Sequence, residues 1–260
     1  MMRTILILFF IGLFGGQIIG QSNLNQTDEQ GRRTGKWVDY HANGKKRYEG
    51  TFKEGYEVGT FRYYNSLGIL VTELIYSQKG EYADAKIYYN DGKIKAEGRF
   101  HQRKKDGVWK YYAHSPYYLA KEESYKDGVK DGRWRIYYPD GQLSSEVNWK
   151  DGLREGPWLE YFENGNPRII ANFKNGKLHG LYEIYILGNI PVKRGSYYEG
   201  DMNGIWYFFD DQGYLIKKER WYRGFLQQEA DFKDGKLVHV TMHTTKKFKD
   251  DFTNPEIDGE

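Results

Sequence analysis

Aromatic, glycine and charged positions recur along most of the chain with a period of 24 residues. In the clearest copy, Gly132 is followed two positions later by Trp134 and three positions after that by Tyr137. Eight copies align in this way, with a single step of 25 residues between Trp109 and Trp134. A fixed period of this length predicts a repeat architecture in which one unit cannot bury its apolar face alone.

Four columns define the repeat. The glycine column is Gly35, Gly59, Ala83, Gly107, Gly132, Gly156, Gly180 and Gly204. The reference column is Trp37, Phe61, Ala85, Trp109, Trp134, Trp158, Tyr182 and Trp206. The tyrosine column is Tyr40, Tyr64, Tyr88, Tyr112, Tyr137, Tyr161, Tyr185 and Phe209. The second aromatic column is Phe52, Tyr76, Phe100, Tyr125, Trp149, Phe173, Tyr197 and Trp221.

Turn signals between the columns indicate two strands per copy. Dipeptides such as Asp140-Gly141 predict hairpins with two-residue loops, because both central residues of such a turn need positive φ. This loop places Gly132 opposite Trp149, where a ring can cover a glycine that packs nothing. On the other face it places Arg135 opposite Glu146, and compensated charges at this pair of columns in other copies support the register. Sequences of the type Lys-Asp-Gly then link each hairpin to the next.

The pattern therefore predicts an all-β fold, an elongated single-layer antiparallel β-meander built from about eight 24-residue β-hairpin repeats. The predicted segments are a signal peptide (1–20), a flexible leader (21–30), the repeat domain (31–235), and a final strand with a charged C-terminal tail (236–260). The third copy carries Ala83 and Ala85 in place of glycine and tryptophan, so we expect it to be the thinnest part of the sheet.

The first 20 residues have the pattern of a secretory signal peptide. Arg3 precedes an apolar run from Ile5 to Phe14, and small and polar residues follow as far as Gly20. The sequence thus predicts export to the periplasm or the extracellular space after removal of the signal peptide, with an uncleaved N-terminal anchor as the alternative. The chain contains no cysteine, which excludes disulfides and thiol catalysis.

Composition argues against several functional classes. The formal charge is +3 and acids alternate with bases, so nucleic-acid binding is not expected. The six histidines are scattered, no nucleophile motif is present, and the glycines follow hairpin spacing, so we predict no catalytic residue, no metal site and no cofactor. We interpret the glycine and reference columns as structural. The tyrosines on the charged face combine exposed area with a polar tip, and we take five as candidate binding residues: Tyr64, Tyr88, Tyr112, Tyr137 and Tyr161.

The motif of glycine, tryptophan, paired tyrosines, Asn-Gly and terminal Lys-Asp-Gly resembles MORN repeats, most closely their bacterial YwqK-like variant, whose members are often labelled antitoxin components. The resemblance covers about residues 31–235 and implies a single-layer sheet used for protein or lipid contacts, with no catalytic residues to transfer. The leading hypothesis is therefore an exported, non-enzymatic interaction scaffold with a protein partner. The alternatives are an envelope carbohydrate-binding protein and an antitoxin or immunity component, and a glycan or membrane surface is a further possible partner.

Overall fold

A computed structural model describes residues 23–243. The predicted signal peptide and most of the predicted C-terminal tail lie outside the described residues. A 3-10 turn covers Gln78–Gly80. The strands are β1 (Gln26–Thr27), β2 (Arg33–Tyr40), β3 (Lys46–Lys53), β4 (Tyr56–Tyr64), β5 (Leu70–Ser77), β6 (Tyr82–Tyr88), β7 (Ile94–His101), β8 (Lys104–Ala113), β9 (Tyr118–Lys126), β10 (Val129–Lys130), β11 (Gly132–Tyr137), β12 (Leu143–Lys150), β13 (Leu153–Tyr161), β14 (Pro167–Lys174), β15 (Lys177–Ile186), β16 (Ile190–Tyr198), β17 (Asp201–Phe209), β18 (Leu215–Tyr222), β19 (Phe225–Lys233) and β20 (Lys236–Met242).

The strands form one antiparallel sheet in chain order. Each strand pairs with the next one, except that β10 and β11 both pair with β9. Extensive contacts join only neighbouring strands and the 3-10 turn, and within residues 23–243 no pairing connects β20 to β1 or β2. The predicted all-β meander is therefore confirmed as a single open sheet. At a spacing of about 4.8 Å per strand, its path length across the strands is roughly 90 Å.

The predicted hairpin register is confirmed. Gly132 pairs with Trp149 and Arg135 pairs with Glu146 in the hairpin of β11 and β12. Gly156 likewise pairs with Phe173 in the hairpin of β13 and β14. Because a slip of one residue would exchange the two faces, this register fixes which columns share a face.

The predicted two-residue loops at the Asn-Gly and Asp-Gly dipeptides are wrong. At Asp140-Gly141, only the glycine has positive φ, at 86°. The amide of Tyr138 donates to the Gln142 carbonyl and the amide of Gly141 donates to the Tyr138 carbonyl, both at 2.9 Å, so the loop has three residues. This is a hairpin loop that ends in a left-handed glycine. A register shift between Ile136 and Tyr137 compensates for the longer loop, which explains why the predicted pairs are still correct.

Two-residue turns of the predicted type occur instead between successive copies. Asp127 and Gly128 have φ values of 47° and 86°, and Asp151 and Gly152 have 49° and 82°. Positive φ at both central residues matches a type I′ turn, whose twist suits antiparallel strands. The Lys-Asp-Gly sequences are therefore the tight turns of this sheet.

The glycine column has a conformational role that the sequence argument missed. Its seven glycines all have φ between 66° and 96°, next to the bulges that join one copy to the next. A Cβ would have open space at four of these positions, so they require positive φ and not room for a neighbouring ring: Gly35, Gly59, Gly107 and Gly180. In the third copy Ala83 adopts regular pairing, and β5 connects to β6 through the longer turn that contains Gln78–Gly80.

A second set of glycines provides room for rings. Three aromatic side chains of the reference column lie against a glycine of the preceding copy so closely that a Cβ on that glycine would overlap the ring. These rings are the largest fully buried side chains of the described residues. The pairs are Gly50 with Phe61, Gly98 with Trp109, and Gly195 with Trp206. The core of this single layer is therefore formed between copies.

Part of the predicted flexible leader is hydrogen-bonded to the sheet. β1 pairs with β2, and the Asn25 side chain donates to the Val38 carbonyl at 2.9 Å. The indole of Trp37 donates to the Gln26 carbonyl at 3.1 Å. The leader thus covers the first strand of the first copy, whereas a flexible segment had been expected from its polar composition.

Candidate binding surfaces

One face of the sheet carries a continuous row of alternating charges. Its members are direct neighbours on successive strands from β3 to β12, with one residue from each strand apart from β10. We call this set the charged row: Glu49, Arg62, Glu73, Lys86, Glu97, Lys110, Glu122, Arg135 and Glu146. Charge pairs were predicted within hairpins, and in the structure they continue from one copy to the next.

Side-chain contacts within the charged row are short. Arg62 Nε lies 3.0 Å from Glu73 Oε2, and Arg135 Nε lies 2.6 Å from Glu146 Oε2. The same Arg135 guanidinium reaches Glu122 Oε2 at 3.7 Å through Nη1, so one arginine joins two copies. Exposed ion pairs each contribute little, but a row in which every charge has opposite neighbours also disfavours other registers.

Reversal of a charge in the middle of this row has a predictable sign. Arg135→Glu would place three carboxylates on adjacent strands, and we expect it to lower the free energy of unfolding by about 1 kcal/mol. Urea denaturation of the wild type, Arg135→Glu and the double variant Arg135→Glu with Glu146→Arg would measure the loss and its partial recovery. Arg135→Glu with wild-type stability at low salt would contradict the contacts described for this row.

Three of the five candidate tyrosines are tied to the charged row. Three equivalent bonds join these hydroxyls to carboxylates: Tyr64 donates to Glu49 at 2.6 Å, Tyr112 to Glu97 at 2.7 Å, and Tyr137 to Glu122 at 2.7 Å. In each case the carboxylate belongs to the preceding copy. Burial and the bond to the carboxylate raise the pKa of both Tyr64 and Tyr112 to about 12. These hydroxyls are therefore already used to connect copies.

The remaining two candidate tyrosines have hydroxyls without such a bond. Within residues 23–243, no hydrogen bond is made by the hydroxyl of Tyr88 or Tyr161. Burial and the nearby Glu73 carboxylate raise the pKa of Tyr88. The backbone of Tyr161 is fixed, since its carbonyl accepts from the Tyr138 hydroxyl at 2.7 Å. Tyr88 and Tyr161 thus offer polar tips on half-buried, positioned rings.

The opposite face carries the reference and second aromatic columns, together with cations that lie over the rings. The Lys130 ammonium is 4.1 Å from the ring centre of Trp134 and 4.2 Å from that of Trp149. The Arg154 guanidinium lies between 5.0 and 5.6 Å from the rings of Phe173 and Trp149. Such contacts are each worth about 0.5–1 kcal/mol when exposed. These contacts were not predicted, although the cations occupy one column of the sequence, four residues before the reference position.

His101 lies between two acids at the edge formed by the tight turns. Its Nδ1 is 2.6 Å from Asp127 Oδ1 and its Nε2 is 3.2 Å from Glu81 Oε1. The ring stacks on Tyr82 with the two centres 4.6 Å apart. Hydrogen bonds to Asp127 and Glu81 raise the pKa of His101.

The raised pKa makes the stabilising effect of His101 depend on pH. A histidine whose folded pKa exceeds its unfolded value, near 6.5, contributes fully below the unfolded pKa and loses that contribution as the pH rises through the folded pKa. We expect His101→Gln to destabilise the protein more at about pH 5.5 than at about pH 9. Thermal unfolding at both pH values would measure this, and an equal loss at the two would contradict the bonds to the two acids.

Other kinds of site are not apparent in the described part of the chain. Residues 23–243 contain no group of three or more His, Cys, Asp or Glu side chains placed to hold a metal ion. No helix in the same range is long and apolar enough to cross a membrane.

Comparison with known proteins supports the repeat assignment. The family described as "MORN repeat variant" matches residues 33–54, 83–102, 130–151 and 154–175. The model of this repeat family thus matches four segments of the chain. They include the third copy, in which Ala83 and Ala85 replace the usual glycine and ring. The predicted MORN resemblance is thus confirmed for these segments, and the other copies follow the same columns.

Similarity to whole proteins is much weaker. No curated protein matches the chain. A TarM crystal structure is 15% identical, over 45% of this chain and 20% of the TarM chain, with a TM-score of 0.18. An S. aureus TarM mutant in complex with Fondaparinux, alpha-GlcNAc-glycerol and UDP is 14% identical over 52% and 19%, with a TM-score of 0.17. A porin-like protein from Bacteroides uniformis is 8% identical over 79% and 95%, with a TM-score of 0.15. The chain spans about a fifth of the TarM chains. The TM-scores of all three structures are too low to indicate a shared fold or function.

Proposed function

We propose that this protein is an exported, non-enzymatic scaffold that binds a protein partner along its sheet. The observation that carries the proposal is the uninterrupted sheet of repeats, roughly 90 Å across its strands, with ordered rows of side chains on both faces. A row of charges with tyrosines lies on one face, and rings with cations lie on the other. Extended surfaces of this kind are how repeat proteins contact their partners.

The charged face is the better surface for a partner's polar groups. Within it, Tyr88 and Tyr161 keep hydroxyls that the sheet does not use, beside the alternating carboxylates and cations of the charged row. Tyrosine combines a large contact area with one polar tip, and it is enriched where interfaces concentrate their energy. We therefore assign these two residues the central part in binding and the other three candidates a mainly structural part.

The experiment is a quantitative capture assay with the purified protein and an envelope fraction. We expect a retained protein to bind saturably, and the double variant Tyr88→Phe with Tyr161→Phe to weaken that binding about tenfold or more, because each lost hydrogen bond contributes roughly 1 kcal/mol. The matched control is Tyr64→Phe with Tyr112→Phe, which removes two hydroxyls that bind carboxylates of the sheet. Failure to retain any protein, together with a measurable turnover of a substrate, would contradict the scaffold.

Carbohydrate binding in the envelope is a second candidate. The half-buried rings of Trp134 and Trp158, about 10 Å apart across two strand spacings, favour it, because sugar rings stack on such side chains. Addition of cell-wall polysaccharide should then change the tryptophan fluorescence, and unchanged fluorescence would count against this candidate. An antitoxin or immunity role rests on the MORN resemblance alone, and co-expression with a neighbouring toxin gene would test it.

A further inference from the structure

On the aromatic face, two reference rings, Phe61 and Trp134, each lie between two rings of the second column. Phe61 has its centre 5.1 Å from that of Phe52 and 5.2 Å from that of Tyr76. In the fifth copy, Trp134 lies 5.6 Å from Tyr125 and 5.3 Å from Trp149. These distances are typical of favourable aromatic pairs. The second-column rings are thus spaced to hold one ring between them.

The third copy keeps the two flanking rings and lacks the central one. Its reference residue is Ala85, while Tyr76 and Phe100 stand on the strands on either side of β6. Both rings are direct partners of Ala83, so their backbones are two strand spacings apart, about 9.6 Å. A ring placed midway would lie about 4.8 Å from each, within the range of aromatic pairs.

An open cavity of about 200 Å³ lies at this position. Leu74 and Ala83 form its floor, and Tyr76 and Phe100 form its walls. These four side chains are apolar or aromatic, whereas the rim carries charges. We call this space the ring gap. Its shape and its walls match a flat apolar ring better than a sugar, whose many hydroxyl groups would find few partners on the floor.

The rim supplies acceptors for one polar hydrogen. Glu81 lines the ring gap, and Glu57 reaches its mouth through a 3.3 Å ion pair with Arg103. Arg103 has 84% of its side chain exposed, so it can swing aside at little cost. A carboxylate at the mouth accepts a hydrogen bond from an indole N–H or a phenol O–H, which a phenyl ring does not offer.

We propose that the ring gap binds one tryptophan or tyrosine side chain presented by the protein partner. The ring would complete the row between Tyr76 and Phe100, and its N–H or O–H would donate to Glu81 or Glu57. This inference rests on the proposed scaffold function and names the chemistry of its partner. A buried ring surrounded by a polar rim is the arrangement that concentrates binding energy in protein interfaces.

The direct test uses indole as the probe and the methyl resonances of Ala83 and Leu74 as reporters in solution NMR. We expect saturable shifts of both methyl groups with indole, at millimolar affinity because the probe has few atoms. Methyl glucoside, added over the same range, should leave them unchanged. No saturable shift with indole, or shifts with the glucoside alone, would overturn the proposal.

A variant that fills the ring gap provides the matched control. Leu74→Gly combined with Ala85→Trp reproduces the pairing of Gly98 with Trp109 in the next copy, and we expect it to weaken indole binding at least tenfold. Tyr182→Trp adds the same indole to a copy that already has a ring, and it should leave the affinity for indole unchanged. Equal affinity of the wild type and the filled variant for indole would contradict binding in the ring gap. If the filled variant does not fold, the wild-type titration alone tests the proposal.

The capture assay separates this proposal from the scaffold itself. We expect the filled variant to bind the captured protein at least tenfold more weakly than the wild type does. Unchanged binding of that protein would reject the ring gap as its site and leave the scaffold standing. If indole binds but no protein is captured, the ring gap exists and its assignment to a protein partner is rejected. Failure of the proposed scaffold function would appear only as the absence of a captured protein in the capture assay.

Discussion

Trp109→Ala is expected to lower the free energy of unfolding by about 3–5 kcal/mol, the usual cost of removing a large buried aromatic side chain. Trp109 is 1% exposed, and its ring packs on Gly98 and on Phe100, with the two ring centres 4.8 Å apart. Its indole also donates to the Arg99 carbonyl at 2.9 Å, and this bond would be lost as well. Few other side chains can fill the space, because the sheet has a single layer.

The matched control for this prediction is Trp158→Ala. Trp158 occupies the same column, but it pairs with Val147 on one side and with Ala171 on the other, and it is only half-buried. We expect a loss clearly smaller than that of Trp109→Ala in urea denaturation at equal m-value. Equal losses for the two variants would mean that a glycine in the preceding copy does not determine how deeply the ring is buried.

Gly98→Ala is expected to be the second most damaging change, at about 1–3 kcal/mol or more. A Cβ at this position would overlap the indole of Trp109, and overpacked sites cost energy of this order. The backbone of Gly98 has no positive φ, so the loss would arise from lack of space. Urea denaturation would measure the change in the free energy of unfolding. The near-UV circular dichroism of the tryptophan would report displacement of its ring.

Gly107 separates the effect of space from that of conformation. It has φ of 69° and open space around a Cβ, so Gly107→Ala should cost about 1–2 kcal/mol through backbone strain alone. Gly107→Asn should cost less, since asparagine adopts left-handed conformations more readily. At Gly98 the order should reverse, because asparagine is larger than alanine. The same order at both positions would contradict the two roles given to these glycines.

The period of the sequence was sufficient to predict the sheet and its hairpin pairs. The pairing of Gly132 with Trp149 and of Arg135 with Glu146 follows from the placement of the turn signals, and the structure has both. The turn types were assigned wrongly because a three-residue loop and a nearby bulge together preserve the register of a two-residue loop. The residue pairs predicted from the position of the turn are the same for both arrangements, so they cannot distinguish the two.

The contacts between successive copies were not predicted from the sequence. Gly98 pairs with Ala85 of its own hairpin, but its closest ring is Trp109 of the next copy. The bulge beside Gly107 shifts the neighbouring strand, and no spacing rule within one hairpin predicts that shift. The extension of the charged row and the bonds of Tyr112 to Glu97 depend on the same step between copies.

The candidate surfaces were predictable only in part. The tyrosine column was correctly placed on the charged face, and Ala83 and Ala85 identified the third copy as the one without a reference ring. The ring gap itself required the positions of Tyr76 and Phe100 relative to β6, which the sequence does not provide. Whether the five candidate tyrosines bind a partner stays a prediction.

The central claim is that the buried reference rings are supported by a residue of the copy before them, and a double-mutant cycle between Gly98 and Trp109 tests it most directly. Gly98→Ala should destabilise the wild type by about 1–3 kcal/mol but have little effect in the Trp109→Ala background, where no ring remains to collide with the added methyl group. The predicted result is thus a coupling energy on the order of 1–3 kcal/mol. Additive losses, with Gly98→Ala equally harmful in both backgrounds, would contradict the account.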